Sequence, residues 1–189
     1  MAITLSDVSK SFGSKTVLSG VSLTLPERGI LRICGPSGRG KTTLLRIIAG
    51  LLEADSGIVM GTEGTRFSFV FQEDRLLGWY SALRNVALVS DEGRAAQLLD
   101  AVGLAESADK LPSQLSGGMR RRVAIARALA YDGDILLLDE PFSGIDEAAR
   151  RELIAPLITQ YAGNKPVILV THDQTDADIL GIDAEYHLQ

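Results

Sequence analysis

The sequence has few of the residues that stabilise secreted proteins, and it has no run long enough to cross a membrane. Of its 189 residues, one is cysteine and 5% are aromatic. The single cysteine excludes an intrachain disulfide and suits a reducing compartment. No stretch approaches the ~20 apolar residues of a bilayer span, and residues 1–10 lack the apolar block of a signal peptide. We therefore expect any contact with a membrane to be made through a partner.

The sequence also has no excess of positively charged residues. Nineteen Lys and Arg residues stand against 24 Asp and Glu residues, which gives a net charge of −5 and disfavours a protein that coats nucleic acid. The length and the apolar fraction of 46% suit one domain with a sizeable core. In that core we expect Cys34 to pack as a small hydrophobe, with a redox-sensitive thiol as the alternative.

The most informative motif is Gly-Pro-Ser-Gly-Arg-Gly-Lys-Thr-Thr at residues 35–43, which fits G-x-x-x-x-G-K-[ST] at every fixed position. An apolar run precedes it and a helical apolar pattern follows it. The loop therefore lies between a buried strand and a helix N-terminus, where free N–H groups and the helix dipole favour an anion. The alternative is an ordinary glycine turn before a helix.

Within this phosphate-binding loop (P-loop) the residues have distinct expected roles. The glycines allow the backbone to turn its N–H groups toward phosphate. Lys41 can reach the β- and γ-phosphates, and the Thr42 hydroxyl can hold Mg²⁺. The expected nucleotide contacts are Gly35, Pro36, Ser37, Gly38, Arg39, Gly40, Lys41, Thr42 and Thr43.

Two acids, Asp139 and Glu140, end an apolar run at residues 135–138. Strand alternation predicts that their side chains point to opposite faces. Asp139 then fits a Mg²⁺ ligand, and Glu140 fits a general base for hydrolysis. Alone, two acids at a strand end indicate a solvated terminus, but a complete P-loop in the same chain favours catalysis.

A second helix N-terminus suited to phosphate begins at Ser116. The serine can cap a helix over residues 116–130, and Gly117 and Gly118 let an anion approach the exposed N–H groups. A plain N-cap after a turn is the alternative. The next residues, Arg120, Arg121 and Arg122, are expected to form a solvated helix face.

Alternating strand and helix patterns predict an α/β fold with a P-loop NTPase core. The expected architecture is a largely parallel sheet, an N-terminal antiparallel β region and a small helical insertion. Antiparallel strands are predicted at residues 2–9 and 17–25, and buried parallel strands at 67–71, 134–138 and 167–170. We predict one domain over residues 1–189, with its core at 1–72 and 129–189 and the helical insertion at 73–128.

Together these motifs resemble the nucleotide-binding subunits of ATP-binding cassette (ABC) transporters over nearly the whole chain. The signature Leu-Ser-Gly-Gly at 115–118, followed by Val-Ala-Ile-Ala-Arg-Ala-Leu at 123–129, is the most specific part of the resemblance. The family's order of motifs is the P-loop, Gln72, the signature, the acidic strand end at 135–140, the D-loop at 143–146 and His172.

The resemblance implies a head-to-tail dimer that encloses two ATP molecules. The second subunit would be another copy of this chain or a paralogous ATPase. Ser116, Gly117 and Gly118 of one subunit would close over the γ-phosphate held by the P-loop of the other, and Asp146 would act across the dimer. Hydrolysis would then reopen the dimer.

The remaining roles also follow from the resemblance. Phe12 matches the aromatic residue that stacks on adenine, with core packing as the alternative, and Val17 would line the same site. Gln72 would contact Mg²⁺ and the attacking water. His172 would hydrogen-bond the γ-phosphate and hold Glu140, whereas an isolated histidine after a buried strand is more often structural.

The resemblance further implies an integral-membrane permease partner, no nucleic acid, and a cytoplasmic location on the inner face of the cell membrane. Residues 73–80 would form part of a groove for a permease helix, unless their apolar side chains are buried in the helical insertion. These side chains are Leu76, Leu77, Trp79 and Tyr80. The string Gln-Glu-Asp-Arg-Leu-Leu-x-Trp resembles importer ATPases for nitrate, sulfonate and taurine, so a solute-binding protein is also expected.

Three alternatives fit the P-loop. A soluble ABC ATPase acting on DNA or ribosomes usually has long coiled-coil insertions or two cassettes, and a generic P-loop kinase lacks the signature. A binding module without hydrolysis is disfavoured by Glu140, Gln72 and His172. Because the sequence stops soon after His172, we expect the closing strands and helix to be largely absent, with no fused sensor domain.

Overall fold

The computed structural model of the chain describes residues 3–188, which form two β-sheets and the helices that pack on them. The strands are β1 (Thr4–Phe12), β2 (Lys15–Thr24), β3 (Gly29–Cys34), β4 (Ser56–Met60), β5 (Phe67–Val70), β6 (Ile135–Asp139), β7 (Pro166–Val170) and β8 (Ala184–His187). The helices are α1 (Lys41–Ile48), α2 (Ala82–Ala87), α3 (Glu92–Ala101), α4 (Gly117–Tyr131), α5 (Glu147–Ala149), α6 (Ala155–Ala162) and α7 (Gln174–Leu180).

The N-terminal strands form the predicted antiparallel region. The three-stranded sheet has the order β2-β1-β4, and both pairings are antiparallel. Strands β1 and β2 join through a tight turn at Gly13, whose φ of 60° lies in the left-handed region that glycine adopts without a steric cost. On β1, Leu5 and Val8 are buried against the rest of the molecule; they lie three positions apart, and the pairing of β1 with β2 shifts register between them.

A five-stranded parallel sheet with the order β5-β6-β7-β3-β8 lies at the centre. The run on β6 is buried on both faces: Leu136 and Leu138 pack into one apolar core, and Leu137 packs into the other. An uninterrupted apolar run is typical of a strand covered on both sides. The predicted α/β class with a parallel sheet is therefore confirmed.

The two cores lie on opposite faces of this parallel sheet. One contains α1 and the antiparallel sheet, and the other contains the helices that follow β5 and β6. Helices α2, α3 and α4 occupy the stretch between β5 and β6 where sequence patterns predict an insertion, and α4 continues to Tyr131. The division of the chain into core and insertion stays a prediction.

The last third of the chain contains an irregular helix and two elements that we did not expect. The helix capped by Asp146 passes through a π-helical turn at Arg150–Ile154, which ends two residues before Pro156; proline has no N–H to donate to the preceding turn. After His172 we expected little regular structure, but α7 follows, and β8 pairs with β3. Among residues 3–188, no helix has the length and apolar character that crossing a bilayer requires.

We expect Leu137→Ala to lower the free energy of unfolding by about 2–5 kcal/mol, because Leu137 is fully buried at the centre of the parallel sheet. Chemical denaturation followed by circular dichroism measures the change. Leu88→Ala, at a half-exposed position, is the matched control. Equal stability losses in the two variants would contradict the central position of Leu137.

Candidate functional site

A cleft of about 330 Å³ opens at the carboxyl edge of the parallel sheet, the usual ligand position in α/β folds. Loops after β3, β5 and β6 reach it, together with Val17 from β2. It is lined by Val17, Ser37, Gly38, Gly40, Lys41, Thr42, Thr43, Gln72, Asp139, Glu140 and Val170. The structure thus brings three separate predicted motifs, the P-loop, Gln72 and the acid pair, into one cleft.

The P-loop conformation depends on glycine and leaves a helix N-terminus without a side-chain cap. Gly40 precedes α1 with φ 91°, and a Cβ there would lie 2.6 Å from Val17 Cγ1. Among the described residues 3–188, no side chain accepts a hydrogen bond at the N-cap of α1, so the N–H groups of its first turn are available to an anion. The buried Lys41 Nζ donates to the carbonyl oxygens of Gly35 (2.7 Å) and Pro36 (3.0 Å). A positive charge therefore lies beside these N–H groups.

Thr42 and Asp139 form a pair of oxygen groups on the floor of the cleft. The Thr42 hydroxyl donates to Asp139 Oδ2 over 2.7 Å. Burial raises the pKa of Asp139 above its ordinary range, and the Thr42 hydrogen bond opposes that shift. A hydroxyl beside a carboxylate is the hard-oxygen donor set that Mg²⁺ prefers, so these residues fit the predicted metal site.

The predicted alternation of the two acids is wrong. Strand β6 ends at Asp139, and Glu140 has a left-handed backbone with φ 50°. Both acids therefore line the same cleft instead of facing opposite sides. The local reason is that Glu140 has left the β conformation on which alternation depends.

His172 follows β7 and contacts the second acid. Its Nδ1 lies 2.9 Å from Glu140 Oε1. The hydrogen bond and the negative charge of Glu140 raise the pKa of His172 above its ordinary value, and burial opposes this shift. The predicted partnership of His172 with Glu140 is present in the geometry, and it favours the protonated imidazole.

The two residues predicted to bind adenine have different surroundings. Val17 lines the cleft. Phe12 ends β1 with 51% of its surface exposed, so the core-packing alternative is wrong. Its ring lies 5.8 Å from Lys10 Nζ and does not belong to the cleft lining.

The signature residues and Asp146 lie outside the cleft of their own chain. Ser116 Oγ accepts the Met119 N–H (3.2 Å) and caps α4 as predicted, and Asp146 Oδ1 accepts the Ala149 N–H (2.9 Å) and caps α5. A Cβ on Gly118 would collide with the Gly144 carbonyl, so the signature packs closely on the D-loop. Within residues 3–188, neither segment contributes to the cleft lining.

The expectation of a solvated arginine face is wrong for Arg121. Only 2% of its surface is exposed, and its guanidinium donates to backbone carbonyls at the ends of β5 and β6. Arg121 precedes the buried residues Ile125 and Ala128 by four and seven positions, and this spacing places it on the inward stripe of α4. That spacing is the sequence signal that could have identified it.

Two bacterial proteins are similar to this chain over most of its length. The aliphatic sulfonates import ATP-binding protein SsuB of Burkholderia ambifaria is 44% identical over 95% of this chain and 59% of its own length. The corresponding SsuB 1 protein of Pseudomonas syringae pv. syringae is 46% identical over 89% of this chain and 73% of its own length. The chain thus spans about three fifths to three quarters of these relatives.

Solved structures of dimeric cassettes have the same fold. A dimeric post-hydrolysis state of an ATP-binding cassette bound to ADP and Pi has a TM-score of 0.88 at 31% identity, covering 99% of this chain and 94% of that one. The dimeric structure of a bacterial ABC transporter cassette has a TM-score of 0.86 at 32% identity, covering 98% and 94%.

We expect Glu140→Gln to lower the pKa of His172 toward its ordinary value of about 6.5, because the substitution removes the charge that stabilises the imidazolium. An NMR titration of the imidazole resonances measures the shift. The chain has two histidines, so the signal that disappears in His172→Gln is assigned to His172. An unchanged His172 titration in Glu140→Gln would contradict the hydrogen bond.

A sequence profile of the family described as ABC transporter matches residues 18–143, which is more than half of the chain. The matched stretch includes the P-loop, Gln72, the signature and the acid pair, whose positions in the fold are given above. The family match, the relatives above 40% identity and the site geometry agree. The chain therefore belongs to the ABC transporter family.

Proposed function

We propose that this chain is an ATP-binding and ATP-hydrolysing subunit that powers solute transport through a membrane permease. The observation that carries the proposal is the convergence in one cleft of Lys41, the Thr42–Asp139 oxygen pair, and Glu140 hydrogen-bonded to His172. These groups supply, in order, phosphate binding, metal binding and proton handling. One relative is named as an import ATP-binding protein, and one structural neighbour is a post-hydrolysis state bound to ADP and Pi; both support ATP binding and hydrolysis as the activity.

ATP binding is assigned to the P-loop and two residues on the adjoining antiparallel sheet. The uncapped N–H groups of α1 and the Lys41 ammonium would bind the β- and γ-phosphates. Val17 and the exposed ring of Phe12 would contact the adenine, for which an accessible aromatic face is suitable. The remaining P-loop contacts are those predicted from residues 35–43.

Thr42 and Asp139 would hold Mg²⁺, with Gln72 completing the metal site from the end of β5. The two oxygen groups lie 2.7 Å apart on the floor of the cleft, and Gln72 lines the same cleft. When bound, the ion neutralises phosphate charge and polarises the γ-phosphoryl oxygens.

Hydrolysis is assigned to Glu140 and His172. The Glu140 carboxylate would accept the proton of the attacking water, a role that commonly contributes about 10²- to 10⁴-fold in rate. His172 donates to Glu140 Oε1 and so orients that carboxylate. Gln72, which lines the same cleft, would also position the water.

We infer that the complete site requires a second subunit, either a copy of this chain or a paralogous ATPase. Ser116, Gly117, Gly118 and Asp146 do not line the cleft of their own chain. Each would act on nucleotide held by the partner, adding a second helix N-terminus to the γ-phosphate. The two structural neighbours are dimeric cassettes, which supports this arrangement.

The transport role is inferred from the relatives. Both SsuB proteins are named as ATP-binding proteins of aliphatic sulfonate import, which supports import of a small anionic solute and does not favour the nucleic-acid alternative. The partners would be an integral-membrane permease and a solute-binding protein, with this chain on the inner face of the membrane. The helical insertion at 73–128 would contact the permease, since Trp79 near its start is 72% exposed.

We expect Glu140→Gln to reduce ATP turnover by about 10²- to 10⁴-fold and to accumulate an ATP-bound dimer, because the base is lost while the phosphate contacts remain. Phosphate release and light scattering at saturating Mg²⁺ and ATP measure the two effects. Glu147→Gln makes the same change at an exposed position on α5 and is the control. A normal hydrolysis rate in Glu140→Gln would remove Glu140 from its assigned role.

We expect Ser116→Arg to prevent dimer closure while leaving ATP binding to the monomer nearly intact, because a bulky cation would occupy the γ-phosphate position in the partner's site. Equilibrium nucleotide binding and sedimentation measure the two properties. Ser81→Arg removes a similar N-cap from α2 and controls for the lost cap, which costs about 0.5–2 kcal/mol. Cooperative turnover at the normal rate in Ser116→Arg would exclude the action across the dimer.

A further inference from the structure

Arg121 places a buried positive charge beside the backbone that carries the cleft residues. Its Nε donates to Pro141 O (3.0 Å), and its Nη2 donates to Asp139 O (2.7 Å) and Glu140 O (2.6 Å). Its Nη1 donates to Phe71 O and Gln72 O. We call these acceptors the carbonyl cluster: the backbone oxygens of Phe71, Gln72, Asp139, Glu140 and Pro141.

The guanidinium is suited to this cluster because it offers five N–H groups in one fixed plane. Burial of the charge lowers the pKa of Arg121, and the Asp74 carboxylate, 3.5 Å from Nη1, opposes that shift. A buried charge is tolerated when its hydrogen bonds are satisfied and a counter-charge is near. A lysine has three donors and no planar fork, so it cannot replace these contacts one for one.

The carbonyl cluster belongs to the two chain segments that leave β5 and β6. One segment carries Gln72 and the other carries Asp139 and Glu140, and all three side chains line the cleft. Arg121 itself does not line the cleft. It therefore fixes the relative positions of two loops whose side chains face the cleft, without entering it.

The backbone conformation of Glu140 is the one in the carbonyl cluster that most needs hydrogen bonds to hold it. Its φ of 50° is a left-handed conformation that costs energy for a residue with a Cβ. Its N–H donates to Val170 O (2.8 Å), and its carbonyl accepts from Arg121. These two contacts hold the peptide groups on either side of the Glu140 Cα, and so they set the direction of its carboxylate toward His172.

A second arginine on α4, Arg127, contacts the loop after β5, which also carries Gln72. Arg127 donates to Asp74 O (3.0 Å) and Arg75 O (2.9 Å), while the Asp74 carboxylate faces Arg121 and, at 3.8 Å, Arg120. Helix α4 begins at the Ser116 cap. The loop after β5 is therefore attached to the helix that carries the signature at its N-terminus.

We propose that Arg121 is a positioning residue for hydrolysis, which holds the Glu140 carboxylate and Gln72 in their places in the cleft and joins both to the signature helix α4. The inference rests on the proposed function for its effect on turnover. Its geometric part, the position of Glu140 relative to His172, is independent of ATP hydrolysis.

The geometric part is tested by the NMR titration of His172 in Arg121→Gln. Loss of a nearby positive charge would by itself raise the pKa of His172. Displacement of Glu140 from its 2.9 Å contact lowers that pKa instead, while Asp173 and Asp176, which also raise it, stay in place. We expect the lower value. Arg122→Gln makes the same change at the next residue of α4, whose guanidinium donates to Val102 O, and should leave the titration unchanged.

The catalytic part is tested by turnover and nucleotide binding in the same variants. We expect Arg121→Gln to lower kcat by about 10- to 100-fold, as loss of a supporting contact commonly does. Affinity for a non-hydrolysable ATP analogue should change less than about threefold, since the P-loop contacts remain. In a Glu140→Gln background the same substitution should reduce the single-turnover rate by less than about threefold, because the group it orients is already lost.

Arg121→Lys keeps the charge and serves where Arg121→Gln fails to fold; we expect it to lower the pKa of His172 and kcat in the same direction. An unchanged or raised His172 pKa in the folded variants would overturn the proposal. So would a double variant whose loss of rate equals the product of the losses in Arg121→Gln and Glu140→Gln. A wild-type chain without ATPase activity would overturn the proposed function, whereas the titration would still decide whether Arg121 positions Glu140.

Discussion

The parallel pairing of β5, β6, β7 and β3 is the constraint on which the site depends. In a parallel sheet all strands end at the same edge, so residues far apart in the chain, Gly38, Gln72 and Asp139, line one cleft. His172, after β7, contacts the cleft residue Glu140. The pairing is stabilised by apolar side chains on both faces, which fill two separate cores. Because a one-residue slip would move each side chain to the wrong face, the same packing that stabilises the sheet also fixes the register of the site.

Buried charge is concentrated around this edge, and each group has partners that offset its desolvation. Lys41 donates to two P-loop carbonyls, Asp139 accepts from Thr42, and Arg121 donates to the carbonyl cluster. Such groups contribute little net stability, because desolvation opposes their attraction. They do restrict the backbone to one geometry, and at this edge that geometry includes the left-handed Glu140.

Helix α4 runs from the signature, which lies outside the cleft lining, to the strand ends beside the cleft. Its N-terminus carries the Ser116 cap and packs on the D-loop, and one and a half turns later Arg121 contacts the ends of β5 and β6. One helix thus carries the signature and contacts the Gln72 loop and the backbone of the acid pair. Hydrogen bonds and close packing link these three parts of the structure.

The sequence by itself determined the features that depend on neighbouring residues: the P-loop between strand and helix, the Ser116 cap, the apolar strand before Asp139, and the parallel α/β class. These follow from short patterns whose physical causes are local, namely glycine geometry, capping and alternation of apolar residues. Only the tertiary structure decided that Arg121 is buried, that Phe12 is exposed, that Glu140 turns into the same cleft as Asp139, and that β8 completes the sheet. The burial of Arg121 and the turn at Glu140 depend on atoms contributed by distant parts of the chain, the Phe71 and Val170 carbonyls, whose approach no local pattern encodes.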